Sequence, residues 1–207
     1  MPAQRDRSSM TEHPFPTEDD GLIPIRSLHV SRCDVRHVQR FIEDNHYSHS
    51  IFGCTVSACF RVTHEHDVVG AAIFGLPAGV GVKEKYSDGR PLLELRRFCL
   101  ADACPRNSES YTLAIMLREL CRDGIGCVLS YADPAHGHEG IIYKALGFEY
   151  RGKTAARKHI MWKGKKYPDR NVHQTNFPFH KELRAALDEG AAKKVPVPGK
   201  HIFVKYL

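Results

Sequence analysis

The pattern of apolar and polar positions predicts alternating strands and helices along most of the chain. Short apolar runs bounded by turn residues predict strands at residues 23–30, 55–62, 68–76, 92–100, 127–132, 148–152, 159–163 and 201–207. Apolar residues at helical spacing predict helices from Ser31 to about Asn45, from Asn107 or Ser108 to Gly124, and over residues 141–146 and 181–189. Residues 77–90 form a long connection, which is typical of a lid or a binding loop.

Length and composition predict one main folded unit. With 207 residues the chain is long enough to bury a sizeable core, and we expect a single domain over residues 21–207. Residues 1–20 are polar and contain prolines without apolar periodicity, so they predict a flexible leader. No apolar run reaches the roughly 20 residues of a membrane span. We therefore expect no membrane partner.

The positive charge lies in the last quarter of the sequence. Residues 151–207 contain 14 Lys and Arg against 4 Asp and Glu, whereas residues 1–150 contain 16 against 20. Such a segment indicates either a surface for a polyanion or an ordinary solvated face. The seven cysteines include no Cys-x-x-Cys pair, and no export signal precedes them, so we expect reduced thiols and a cytoplasmic location.

The richest candidate site lies between Ser130 and Glu149. An apolar strand ends there at Asp133-Pro134, a loop with two histidines follows, and a short helix closes at Gly147. Polar side chains therefore gather at the carboxyl end of a strand, the edge of an α/β sheet where ligands bind. They are Asp133, His136, His138, Glu139 and Tyr143. The alternative is a polar turn with solvated histidines.

Three further segments carry candidate chemistry. The link Asn45–Ser50 has His46, Tyr47 and His49, which suit a metal or, as the favoured function, substrate contact. Arg96 and Arg97 within the strand at 92–100 indicate an anionic partner or a surface ion pair. The turn before the long helix, residues 105–110, indicates an anion site at a helix N-terminus or simple capping.

The order of elements resembles the GNAT (N-acetyltransferase) superfamily. Its segment after the fifth strand commonly ends in Leu-Gly-Phe, as residues 146–148 do here. The resemblance implies an α/β (α+β) fold with a central mixed, mostly antiparallel twisted sheet flanked by helices. It also implies a pyrophosphate site at residues 105–110, although this turn contains none of the glycines of the superfamily's signature.

Three blocks resemble the Mom family of phage Mu-like viruses more closely. They are His46-Tyr-Ser-His49, residues 94–110 beginning Glu-Leu-Arg-Arg-Phe, and residues 131–140, Tyr-Ala-Asp-Pro-Ala-His-Gly-His-Glu-Gly, within a resemblance over roughly residues 25–180. Mom proteins convert adenine in phage DNA to N6-carbamoylmethyladenine, which shields the DNA from host restriction. The resemblance implies the same activity here, on double-stranded DNA in the cytoplasm of a bacterial host.

On this resemblance, the hypothesis assigns roles to individual residues, because the target base must be flipped out, held and acylated. Those given to catalysis are Asp133, Tyr143, His46 and Ser110. Those given to the donor are Arg97, Arg106, Ser108 and Ser110. Those given to the base and the DNA backbone are Tyr47, His49, His136, Arg157, Lys158, Lys165 and Lys166. A bound iron is placed at His46 and Tyr47.

The donor stays open between two chemistries. A glycyl donor acylates the amine, after which the glycyl nitrogen attacks the ring carbon and exchanges places. Acetyl-coenzyme A instead requires an oxidation and a nitrogen source, which is where iron enters. The alternatives to DNA modification are an ordinary acetyl-coenzyme A-dependent N-acetyltransferase for a small amine or protein, which the missing glycines count against, and a non-catalytic DNA-binding protein. A homodimer is open, with the strand-like C-terminus as one pairing edge.

Overall fold

The computed structural model describes residues 23–173, 175 and 177–207, and the predicted leader at residues 1–20 lies outside them. The strands are β1 His29–Arg32, β2 Ala58–His64, β3 Asp67–Gly75, β4 Leu92–Leu100, β5 Cys127–Ala132, β6 Glu149–Lys153, β7 Arg157–Trp162, β8 Lys165–Pro168, β9 Lys193–Val197 and β10 His201–Tyr206. The helices are α1 Gln39–Asn45, α2 Val82–Tyr86, α3 Ser108–Arg122, α4 Ile141–Ala145 and α5 His180–Asp188. Short 3-10 helices occupy Ile25–Ser27, Val35–His37, Pro134–His136 and Asp169–Val172.

Seven strands form the main sheet, in the order β1-β2-β3-β4-β5-β10-β6. Only the β4–β5 pair is parallel, which confirms the predicted mixed, mostly antiparallel sheet. Alternate residues of a strand face opposite sides. Ala72 and Phe74 of β3 therefore pack into the core that contains the apolar face of α3, while Ala71 and Ile73 pack with α1.

A gap opens between the two parallel strands at the centre of this sheet. β4 and β5 are in register over Leu92–Glu94 and Cys127–Leu129; farther along, β4 pairs with β3 and β5 pairs with β10. The register between β3 and β4 shifts at the same place, so that Arg96 is an extra residue in β4. A bulge of this kind bends its strand and is common beside active sites. The gap is the opening of the candidate site.

The basic C-terminal part forms a second sheet, of order β8-β7-β9, which α5 covers. This insertion, residues 155–199, has a small core of its own around Ile160, Val172 and Leu183. Its two ends meet where Thr154 and Lys200 exchange two hydrogen bonds of 2.9 Å. Gly199 is required there, since a Cβ would lie 1.9 Å from the Thr154 carbonyl oxygen. A single domain over residues 21–207 stays a prediction.

Local chemistry explains where the observed elements differ from those predicted. Ser31 lies inside β1, and Asp34 caps the following 3-10 helix instead, because its carboxylate accepts the Arg36 backbone N–H at 3.0 Å. The long connection at residues 77–90 contains α2.

In the described part of the chain, no helix is both long enough and apolar enough to cross a membrane.

The C-terminal strand, β10, is not an open edge. It is paired with β5 on one side and with β6 on the other, so its backbone groups are already used within the sheet. The prediction that this strand is free to pair with a second chain is therefore wrong.

Replacing Gly140 with Ala is expected to destabilise the fold by about 2–4 kcal/mol. Gly140 has a φ of +72°, and a Cβ there would lie 2.2 Å from the buried ring of Phe203. Gly147→Ala is the matched control: its φ is +68°, but its Cβ would meet only the end of the Lys205 side chain at 3.3 Å. Urea unfolding of both variants checks this, and equal losses would contradict the clash with Phe203.

Candidate active site

A cleft of about 120 Å³ occupies the gap between β4 and β5. One wall is the bulged part of β4, another is the end of β5, and the loop after α1 and the start of α4 close it. The lining residues are His46, Tyr47, Leu95, Arg96, Arg97, Phe98, Cys99, Glu109, Tyr131, Ala132, His138, Gly140, Ile141, Ile142 and Tyr143. The cleft therefore brings together segments from three separate parts of the sequence.

An aromatic cluster stands at one side of this cleft. The ring of Tyr47 lies 4.3 Å from that of His46, 4.4 Å from that of His136 and 5.4 Å from that of His138, measured between centroids. Two motifs that are about 90 residues apart in sequence thus form one surface of tilted rings. His49 is directed elsewhere, because its Nδ1 contacts the carbonyl oxygen of Glu43 at 2.8 Å, and it does not line the cleft.

His46 is a buried and neutral member of the cluster. Its side chain is only 4% exposed, and its Nδ1 accepts the backbone N–H of Ser48 at 3.1 Å. Because that amide can only donate, the proton of the neutral ring sits on Nε2. Burial lowers the pKa of His46 to about 3, and the charge of Arg97 acts in the same direction. His46 therefore serves as an uncharged hydrogen-bond donor rather than as a base.

The buried His46 makes the stability of the protein depend on pH. The unfolded chain takes up a proton near pH 6.5, whereas the folded chain does so only near pH 3. Stability is therefore lost as the pH falls between these values, by about 2 kcal/mol at pH 5 from this group. Urea unfolding at pH 7.5 and pH 5 should show a smaller loss for His46→Asn, and an unchanged loss for His66→Asn, which removes an exposed histidine. If His46→Asn loses as much stability between pH 7.5 and pH 5 as the wild type does, the assignment of a buried, neutral His46 is refuted.

Tyr143 places a protonated phenol in the cleft. Its ring is buried and packs against Phe148 and Phe203, each with a centroid distance of 5.3 Å. Burial raises the pKa of Tyr143 to about 12, and a hydrogen bond from Ser130 opposes this only in part. At neutral pH the phenol thus keeps its proton, which suits a general acid.

Asp133 holds the histidine loop in place and lies just outside the lining of the cleft. Its carboxylate pairs with Lys200 at 2.9 Å and accepts the Ala135 backbone N–H at 3.0 Å. Burial acts to raise the pKa of Asp133, but these two partners outweigh it and hold the pKa below its usual range. Its backbone oxygen also accepts the N–H groups of His136 and His138. Its role as a proton acceptor stays a prediction.

The two arginines of β4 are fixed by different partners. Arg96 forms an ion pair with Glu94 at 3.1 Å, with both side chains about 10% exposed, so this pair is buried rather than at the surface. Arg97 donates to the backbone oxygens of Ser50 and Arg96, each at 2.7 Å. Both arginines line the cleft, and because Glu94 balances the charge of Arg96, the fixed positive charge of this wall comes from Arg97.

The N-terminus of α3 holds the other residues predicted to contact the donor. Ser108 is fully buried, and its hydroxyl has no hydrogen-bond partner among the described residues. Ser110 donates to the Asn107 carbonyl oxygen at 3.0 Å, and Arg106 is exposed. None of these three lines the cleft, whereas Glu109 does. Asn107 precedes the helix with a φ of +71° and makes no side-chain cap.

The donor set for iron at His46 and Tyr47 is incomplete. Across the described residues, no group of three or more His, Cys, Asp or Glu side chains is arranged to hold a metal ion. His46 also uses its Nδ1 for the Ser48 amide. The predicted iron site therefore does not fit the residues present.

The residues predicted to contact DNA lie on the insertion. Arg157 and Lys158 in β7 and Lys165 and Lys166 in β8 are all exposed. Arg157 is close enough to influence the ionisation of Tyr131 in the cleft wall. The basic surface of the insertion thus begins beside the cleft.

Sequence reasoning did not single out Glu109 or Tyr131, although both line the cleft. The alternation of inward and outward positions along β5 is the signal that places Tyr131 on the same strand face as Leu129. No local signal identified Glu109, since an acidic residue in the first turn of a helix is common for electrostatic reasons alone.

Comparisons with known proteins identify the family and the fold. A family model described as the Mom protein family matches residues 27–207. The methylcarbamoylase Mom of Escherichia phage Mu is 29% identical over 122 residues, which are 56% of this chain and 46% of the Mu protein, so the match spans about half of that relative.

A solved structure of a probable GNAT-family acetyltransferase from Chromobacterium violaceum has a TM-score of 0.51 and 10% identity, over 92% of this chain and 93% of that one. The ribosomal-protein-S18-alanine N-acetyltransferase of Escherichia coli reaches 0.48 at 13% identity, over 86% and 93%. The fold is that of the GNAT acetyltransferases.

Proposed function

The chain belongs to the Mom protein family, and from this premise we propose that it converts adenine in double-stranded DNA to N6-carbamoylmethyladenine. The modified base would protect phage DNA from restriction in the host cytoplasm. One observation carries the proposal: a cleft with an aromatic His–Tyr cluster and a protonated Tyr143 lies beside an insertion with exposed basic side chains. Those are the parts that chemistry on a flipped base requires.

The aromatic cluster is the proposed binding site for the flipped adenine. Tyr47 and His136 offer ring faces on which a base can stack, and stacking is the usual way in which proteins hold an unpaired base. Neutral His46 has a proton on Nε2, which can donate to a ring nitrogen of the base. The cleft would thus hold the exocyclic amine next to β4 and α4.

The proposed transfer acylates the exocyclic amine. The N6 nitrogen forms a bond to the donor's carbonyl carbon, the bond from that carbon to the leaving group breaks, N6 loses a proton and the leaving group gains one. Tyr143 supplies the second proton from its buried phenol. Arg97 lies in the same wall and stabilises negative charge on the carbonyl oxygen. The His136 imidazole, which stacks on Tyr47 and is close enough for its charge to act on Asp133, is proposed to relay the N6 proton to that carboxylate.

The donor is an activated acyl group. A glycyl donor gives the final product by an isomerisation: the free glycyl nitrogen forms a bond to the ring carbon C6, and the original C6–N6 bond breaks. No oxidant is consumed in that sequence. An acetyl donor from acetyl-coenzyme A needs an oxidation and a nitrogen source after the transfer. Ser110, at the start of α3, is proposed to contact the anionic part of either donor. The Ser108 side chain is fully buried, so it is not included in this contact.

Nucleoside mass spectrometry of bacterial DNA tests the proposal. The protein is expressed in bacteria, the DNA is freed of protein and digested, and a deoxyadenosine with a carbamoylmethyl group is expected. Removing protein first distinguishes modification from mere occupancy of the DNA. An unchanged nucleoside profile in cells with folded protein would overturn the proposal in favour of an ordinary N-acetyltransferase, for which coenzyme A binding would then be measured.

A further inference from the structure

Two loops beside the cleft expose large apolar side chains. Phe52 is 92% exposed and Val80 is fully exposed, and Leu76 between them in the sequence is 58% exposed. Scattered apolar residues are normal on a protein surface, but several at the rim of one cleft mark an interaction site. These segments, residues 50–56 and 76–81, are called the rim loops below.

Cleft residues hold the backbone of the first rim loop. Arg97 donates to the Ser50 carbonyl oxygen at 2.7 Å, and Arg96 donates to that of Gly53 at 3.0 Å. Both arginines line the cleft. Phe52 therefore sits on a turn that is tied at both ends to the cleft wall, and its side chain is exposed to solvent.

The second rim loop is tied to the same charge pair. Glu94 accepts the backbone N–H of Ala78 at 3.0 Å with one carboxylate oxygen and binds Arg96 with the other. The two loops also contact each other, because the Leu76 N–H donates to the Thr55 hydroxyl at 3.2 Å. A buried ion pair is costly to desolvate and is seldom a net source of stability. Here the Glu94–Arg96 pair fixes the backbones of both rim loops, which carry Phe52 and Val80.

We propose that the rim loops insert Phe52 and Val80 into the DNA base stack beside the target adenine and so drive that base out of the duplex toward Tyr47. This inference rests on the proposed function and names the residues that open the substrate. Proteins that kink or open DNA commonly use such apolar wedges between neighbouring bases. Extrusion must precede chemistry, since the N6 amine of a paired adenine cannot reach the cleft.

Two exposed lysines, with the exposed Glu84 between them, lie close to the wedge in sequence. Lys83 and Lys85 follow Val80 in α2 and are exposed, so they can contact phosphates next to the opened step. The insertion also brings an exposed basic side chain to the cleft, because Arg157 is close enough to Tyr131 to influence its ionisation.

The test compares paired and unpaired adenine as substrates. The wild-type protein, Phe52→Ser, Val80→Ser and Phe52→Leu are assayed in bacterial lysate, which supplies the donor, on duplexes built around a plasmid site that wild type modifies. One duplex is fully paired; the other has the same adenine in a mismatched bubble with paired flanks. In Phe52→Ser, modification of the paired duplex should fall ~10-fold or more, because unstacking is no longer driven. Modification of the bubble should stay within about twofold of wild type, as expected when base opening is supplied by the substrate.

Each outcome decides between the claims. Selective loss on paired DNA in Phe52→Ser, a smaller loss in Val80→Ser, and retention in Phe52→Leu support the wedge. Equal loss on both duplexes would overturn it, since Phe52 would then act in folding or general binding. Wild-type rates on both duplexes would also overturn it while leaving DNA modification standing. If wild type modifies no plasmid site around which such duplexes can be built, the proposed function is overturned, and the wedge with it.

Discussion

Replacing Tyr143 with Phe is expected to lower the amount of modified adenine by ~10²–10⁴-fold, the usual range for loss of a general acid. The variant keeps the ring that packs between Phe148 and Phe203 and removes only the hydroxyl. Its structural cost should therefore be about 1 kcal/mol. Nucleoside mass spectrometry measures the product, and thermal unfolding measures the stability.

Ser130→Ala is the matched control for this variant. It removes the hydrogen bond between Ser130 and Tyr143 but leaves the phenol and its proton in the cleft. A similar shift in melting temperature in both variants, with activity lost only in Tyr143→Phe, would separate proton donation from packing. If Tyr143→Phe retains modification at the wild-type level, Tyr143 has no part in the chemistry.

Removing four charges from the insertion is expected to give the second largest effect. The residues changed to Ala together are Arg157, Lys158, Lys165 and Lys166, all exposed on β7 and β8. The DNA association constant falls as salt rises, and each lost phosphate contact makes the plot of its logarithm against log salt concentration less steep by about 1. Affinity for duplex DNA should therefore fall ~10²-fold or more at physiological salt, with a slope smaller by up to about 4. Fluorescence anisotropy over a series of salt concentrations measures both quantities.

An equal change of charge elsewhere controls for the net charge of the protein. Four exposed arginines outside the insertion are changed to Ala together: Arg26, Arg40, Arg118 and Arg122. This variant should keep the wild-type slope and affinity to within a few-fold, because only charges at the interface release counterions. Equal losses in the two quadruple variants would contradict a specific DNA surface on the insertion.

Most elements of the main sheet were predictable because each has a strong local signal. The exception is β1, which was expected at residues 23–30 and lies at His29–Arg32, after a 3-10 helix at Ile25–Ser27. The strand at residues 92–100 and the strand at residues 127–132 appear with the predicted bounds, since their apolar runs end at clear turn residues. The two edge strands of the insertion were missed. β8 ends at Pro168 and β9 contains Pro196, and proline is tolerated at a sheet edge but weakens a strand signal in sequence.

The candidate site was predictable as a list of motifs but not as an arrangement. Sequence placed His46, Tyr47, His136 and Tyr143 among the candidates. All of them line the cleft except His136, which stacks on the lining residue Tyr47. The Lys200 partner of Asp133 could not be foreseen. That contact joins residues 67 positions apart, and no periodicity encodes a pairing across an insertion.

The junction at Thr154 and Lys200 has an evolutionary consequence. Because the insertion leaves and re-enters the sheet at adjoining positions, closing or lengthening it costs little chain entropy and displaces no strand of the main sheet. Substitutions in its exposed sheet are then nearly independent of the reaction geometry. Under the proposed function, this module can therefore be exchanged as one unit and change which DNA the protein binds, while the cleft keeps its chemistry.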